Sequence, residues 1–126
     1  MVDLLIDIEN TPGSLARVAA AISDAGVNLA SATCLGSGGR AELHILVPYP
    51  EAAKHALAIS SLAVTEEREV VVVDVEDRTG VLADLTRRIA SAGVDLELVY
   101  VATQNRVVFG AADLPALRAA LGVYAR

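Results

Sequence analysis

Residues 7–29 recur without a gap as residues 74–96, and ten of those 23 positions are identical: Asp7, Glu9, Gly13, Leu15, Ala16, Ile22, Ala25, Gly26, Val27 and Leu29. Chance alone would give roughly two at average composition. The chain therefore builds one supersecondary unit twice, and this duplication limits its folds more than any other feature. Each copy has about 60 residues, which alone bury little surface. Two copies in one chain can share a sheet edge or a helical face. The expected domains are residues 1–67 and residues 68–126.

Both copies show the same order of elements. The first opens on VDLLIDIE and the second on EVVVVDVE, each a strand with an apolar interior. A glycine-containing loop follows. Then Leu15, Val18, Ile22 and Ala25 recur at helical spacing, as do Leu82, Leu85, Ile89 and Ala92. Each helix stops at a glycine, Gly26 or Gly93, which tolerates the left-handed conformation past a helix end. Second strands are predicted over 28–35 and 95–103, and turns at 37–40 and 104–105. Third strands follow over 41–47 and 106–111, and second helices over 50–59 and 113–121, with Asp113 as N-cap. Copy one adds an apolar piece at 62–64. Glu66, Glu67 and Glu69 read as a solvated linker. Copy two has only residues 122–126 for a last strand, a stub or an edge for another chain to complete. The order βαββαβ predicts an α+β fold: two ferredoxin-like units in tandem, each an antiparallel sheet with both helices on one face.

The corner between first strand and first helix reads Asn10-Thr11-Pro12-Gly13-Ser14-Leu15 in copy one and Asp77-Arg78-Thr79-Gly80-Val81-Leu82 in copy two. This corner, a helix ending in Ala-Gly-Val-Asn-Leu and the βαββαβ order together resemble the ACT domain family. Copy two departs from it by placing Thr79 where the family often has Pro. The resemblance spans almost the whole chain. It implies a regulatory protein without catalytic activity, made of two tandem ACT units, that binds a small ligand, usually an amino acid. It further implies side-by-side pairing of units, a ligand at the seam between them, and a homodimer. The alternative it implies is a regulatory subunit docking on an amino-acid biosynthetic enzyme.

The residues give a physical reason for such binding. The first N–H groups of a helix lack partners, and the helix dipole favours an anion there, such as an α-carboxylate. Gly13 and Gly80 let a ligand approach the backbone, although a strand-to-helix turn also takes glycine for its own geometry. Asn10 offers one acceptor and two donors, enough to hold both ends of a zwitterion. Asp77 accepts only from the ammonium and repels the carboxylate, an effect Arg78 offsets. The first corner is thus expected to be the better site. The opposite wall is expected from Asn28 and Leu29, or Asp95 and Leu96, of a neighbouring copy.

Composition removes other classes. The net charge is −6 and aromatic residues make up 3%, which disfavours nucleic acid and anionic membranes as partners. The basic pair Arg87-Arg88 reads as a solvated helix face. The single cysteine, Cys34, excludes a disulfide framework and is expected to be a buried small hydrophobe. No metal-ligand spacing and no nucleophile–base pairing is found, so no cofactor, metal or catalytic residue is expected. Asp7 and Asp74 share a strand position suited to pairing with arginine, and Tyr100 suits packing on the sheet or lining a pocket. No secretory leader or bilayer-length apolar run is read, and a cytoplasmic protein is expected.

Overall fold

The computed structural model describes residues 1–124. The chain divides into two compact units, Met1–Arg68 and Glu69–Arg126. Unit 1 runs β1 (Val2–Glu9), α1 (Ser14–Asp24), β2 (Ser31–Ser37), β3 (Arg40–Val47), α2 (Pro50–Ile59) and β4 (Ala63–Glu69), whose last residue opens unit 2. Its sheet has the order β2-β3-β1-β4. Unit 2 runs β5 (Val71–Asp74), α3 (Val81–Ser91), β6 (Leu98–Ala102), β7 (Arg106–Gly110) and α4 (Leu114–Leu121), then a 3-10 turn over Gly122–Tyr124. Its sheet has the order β5-β7-β6. The fold is α+β, with two ferredoxin-like antiparallel units in tandem.

Alternation along the strands sets the register. Leu4 faces Ile45, Ile6 faces Leu43 and Ile8 faces Ala41 across the β1–β3 pair. Those six residues form one core with Val18 and Ile22 of α1 and Ala53 and Leu57 of α2. Both helices therefore cover one face of the sheet. Unit 2 repeats the arrangement with Val71 facing Phe109 and Val73 facing Val107. Leu85, Ile89, Leu117 and Leu121 close over them. Fully burying one such side chain is worth about 1.5–3 kcal/mol, so apolar periodicity fixes where each helix lies.

The helix ends follow local chemistry. Gly26 (φ 75°) and Gly93 (φ 73°) adopt the left-handed conformation. Beyond them the Val27 N–H donates to Ile22 O and the Val94 N–H to Ile89 O, a Schellman closure in each unit. Asp113 accepts a hydrogen bond from the Ala116 N–H and caps α4.

Four expectations need correction. The residues after α4 form a 3-10 turn over Gly122–Tyr124 instead of a strand, and residues 125–126 lie outside the described residues. The glutamates read as a linker belong to β4. As an edge strand, β4 tolerates charge on its open side; Glu66 pairs with Arg68, Glu67 with Lys54 and Glu69 with Arg118. Cys34 is exposed, because β2 is the outermost strand of its sheet. The second strands start three residues later than predicted, at Ser31 and Leu98.

Candidate functional site

The two corners adopt nearly the same backbone. Gly13 (φ 87°, ψ −11°) and Gly80 (φ 89°, ψ −6°) stand at the N-cap, and neither helix start receives a side-chain cap. A Cβ built on either glycine meets nothing within 4 Å. The left-handed conformation, and not crowding, is therefore what requires glycine here. The first N–H of α1, on Ser14, donates to Thr11 O at 3.2 Å, and that of α3, on Val81, donates to Arg78 O at 3.5 Å.

Around this shared frame the side chains differ. In unit 1 the Asn10 N–H donates to Gly39 O at 2.9 Å and its Nδ2 donates to Gly38 O at 3.2 Å. Asn10 thus ties the corner to the β2–β3 turn, and a Cβ at Gly36 would lie 2.9 Å from its Nδ2. Thr11 and Ser14 share a hydroxyl hydrogen bond of 2.7 Å. A cleft of about 290 Å³ opens beside the corner, lined by Asp7, Ile8, Glu9, Ser14, Arg17, Arg40 and the turn Ser61, Leu62 and Ala63. Arg17 donates from Nη2 to Ser60 O, which pins the end of α2 to α1. Arg40 makes a 2.9 Å ion pair with Asp7, and that hydrogen bond raises the guanidinium's pKa further.

Unit 2 opens a cleft in the equivalent place, of about 550 Å³. The equivalents of Asp7, Ile8, Glu9, Ser14 and Arg17 are Asp74, Val75, Glu76, Val81 and Asp84, and all five line it, with Arg78, Leu85, Arg88 and Tyr124. Arg78 reaches Asp84 at 3.2 Å and Glu76 at 3.6 Å, while Arg87 reaches Asp84 at 2.6 Å. Hydrogen bonds from Arg78 first and Arg87 second hold the Asp84 carboxyl below its ordinary value of 3.8. Its contribution to stability is thus present above that value and is lost as pH falls through the depressed one. In an NMR titration of the carboxyl carbons, R78A is expected to move the Asp84 midpoint upward. An unchanged midpoint would remove Arg78 as the cause.

Of the predicted site residues, Ser14, Arg78 and Val81 line these clefts. Asn10, Thr11, Pro12, Gly13 and Asp77, Thr79, Gly80 form the corners beside them. Leu15 and Leu82 are exposed at 46% and 41% on the first helical turns. Asn28 and Asp95 lie past the far ends of α1 and α3, about 16 Å from the corner of their own unit at 1.5 Å per residue. Leu29 and Leu96 pack against the cores. Asp7 does pair with arginine, and Tyr100 is 9% exposed. His44 lies 2.9 Å from Asp3, and no metal-holding group of three side chains occurs among the described residues. No helix among them is long and apolar enough to cross a membrane.

Two arginines were missed as site residues: Arg17, which the sequence reading did not single out, and Arg88, which it placed on a solvated helix face and which lines the unit 2 cleft. Each immediately precedes a buried residue of its helix, Val18 or Ile89, and each donates to a carbonyl at the end of the unit's second helix. The repeat hid the likeness, because Arg88 stands one turn after the equivalent of Arg17. A search at helical spacing, in place of strict alignment, would have paired them.

Residues 2–54 match the family model of the ACT domain. A protein from Bacteroides thetaiotaomicron has the same fold, with a TM-score of 0.84 at 25% identity over 95% of this chain and 85% of that one. The regulatory subunit of aspartate kinase from Thermus thermophilus, in its ligand-free form, gives 0.68 at 22% identity over 94% and 88%. The corresponding subunit from Thermus flavus gives 0.55 at 17% identity over 97% and 96%. No curated protein matches the chain.

Proposed function

We propose that the chain, whose residues 2–54 match the family model of the ACT domain, is a regulatory protein that binds a small amino acid and has no catalytic activity. One observation carries the reading. In both units a left-handed glycine presents an uncapped helix start beside an open cleft. In unit 1 the α-carboxylate sits at the N–H groups of α1 that follow Ser14, and Asn10 keeps its side-chain oxygen for the ammonium.

Magnitudes say what else such a site needs. A helix-dipole contact is worth about 0.3–1 kcal/mol, whereas micromolar binding requires about 8 kcal/mol. The ligand's side chain must therefore be enclosed as well. Thermal unfolding against the twenty amino acids tests the reading. At a hundredfold excess over Kd the right one adds about 2.7 kcal/mol of stability. A correctly folded protein that responds to none of them refutes it.

We place pairing of two copies at strand β2. It is an edge strand whose residues from Ala32 to Ser37 are exposed, and it carries no charge and no proline. Such an edge is open to another strand. L35K changes a side chain that is 73% exposed. Sedimentation is expected to show a dimer for the native chain and a monomer for L35K, at nearly unchanged stability. A native monomer would end this part of the reading. The exposed free thiol of Cys34 fits a reducing compartment, and we place the protein in the cytoplasm.

A second reading adds a client enzyme of amino-acid biosynthesis. Its motive is the fold shared with a regulatory subunit of aspartate kinase. A pull-down that recovers this chain alone would sink it.

A further inference from the structure

We propose that the cleft of unit 2 is itself an amino-acid site, with Arg88 as the receptor for the α-carboxylate. The assignment rests on the amino-acid-binding reading above, but moves the stronger site from the Asn10 corner to unit 2. The cleft holds about 550 Å³, against about 290 Å³ in the equivalent place of unit 1. Its arginines differ in availability. Arg78 is engaged by Asp84, which also holds Arg87 outside the lining. Arg88 has no carboxylate partner among the described residues. Its guanidinium lies 5.0 Å from the Tyr124 ring centre and makes one long hydrogen bond, 3.5 Å, to Leu121 O. Among the described residues that leaves most of its planar donor fork for a carboxylate, which it can grip at two points.

The rest of the lining sets the ligand class. Asp74 and Glu76 bring carboxylates from the end of β5. Glu76 is 85% exposed and only loosely held by Arg78 at 3.6 Å, so it can accept an ammonium. Three acids against two arginines disfavour a phosphate or other polyanion. Val75, Val81 and Leu85 supply apolar surface for a side chain. A zwitterion with a small or medium apolar side chain fits all three requirements. The local fold supports the arrangement. Gly122, at φ 59° and ψ −127°, takes a conformation that L-residues rarely adopt, and Tyr124 follows it to reach Arg88. In unit 1 Ala21 stands at the position equivalent to Arg88, and the arginine that lines that cleft from the helix, Arg17, stands one turn earlier.

Calorimetry of the full chain with each of the twenty amino acids tests the assignment, followed by titration of the tightest binder into R88M, R88K, E76Q and K54M. R88M is expected to weaken binding at least tenfold, and R88K by less because it keeps the charge. E76Q is expected to weaken it severalfold, and K54M, at a residue that lines neither cleft, to leave it within twofold. Amide NMR spectra confirm that each variant is folded. Should R88M disturb the fold, R88K and E76Q carry the decision. Binding that R88K, R88M and E76Q all leave within twofold overturns this site and spares the amino-acid reading. A native chain that binds no amino acid removes both.

Discussion

Phe109→Ala is expected to unfold unit 2. Phe109 is the chain's single phenylalanine and is fully buried, facing Val71 in the sheet beneath Leu117 and Leu121. Truncating such a residue costs about 3–5 kcal/mol, from lost transfer energy and the cavity left behind. A unit of this size commands only about 3–9 kcal/mol in total, at roughly 0.05–0.15 kcal/mol per residue. The core around position 109 is built of Val, Ile and Leu from strands and helices that are themselves pinned, so little collapse can offset the loss. Amide NMR of F109A should show unit 2 resonances losing dispersion. Urea midpoints that place the loss under about 1 kcal/mol would show that the site repacks, against the close packing described above.

The second large effect belongs to the corner glycines. Gly80→Ala puts a Cβ on a residue at φ 89°, at an expected cost of about 1–2 kcal/mol. The same holds for Gly13→Ala at φ 87°. Because an added Cβ meets nothing within 4 Å, the penalty is conformational and not steric. Two substitutions separate these causes. Asn tolerates the left-handed region, so G80N should be milder than G80A although its side chain is larger. If G80N proves the more harmful, crowding and not backbone geometry governs the corner. Either glycine variant should also weaken a ligand that approaches the helix start, because the chain must leave the αL conformation to relax.

Much of the fold was legible because it rests on apolar spacing. Leu15, Val18 and Ile22 mark one helix as clearly as Leu82, Leu85 and Ile89 mark its copy. The repeat faded where the units differ in covalent length. Asp7 faces Glu42 across its sheet, whereas Asp74 faces Arg106, so the second hairpin is three residues shorter. Charge misled the reading of Glu66, Glu67 and Glu69, because an edge strand with its outer side in water looks like a linker. Cys34 was misplaced for a related reason: a strand position says nothing of burial until the edge of the sheet is known. The clefts were less legible than the fold. Residues at the end of a first strand, along a helix and past a second helix meet only in three dimensions. Arg88 and Tyr124 are 36 positions apart in sequence, and no periodicity joins them.

The contact between Asn10 and Gly36 restricts any attempt to transplant one corner onto the other unit. Asn10 holds Gly38 O only because position 36 has no side chain, since a Cβ there would come within 2.9 Å of its amide. Unit 2 carries Asp77 and Thr103 in those places, and Thr103 accepts hydrogen bonds from Arg106 instead. The two positions therefore work only together with the turn that follows them. Grafting Asn10 onto unit 2 without also replacing Thr103 by glycine would lose the hydrogen bond that holds the corner to its hairpin, at about 1 kcal/mol. Swapping both together would still not carry the corner across, because the second hairpin is three residues shorter and has no counterpart of the turn that presents Gly38 O. The duplicated copies have in this sense kept separate dialects, in which a single borrowed word does not parse.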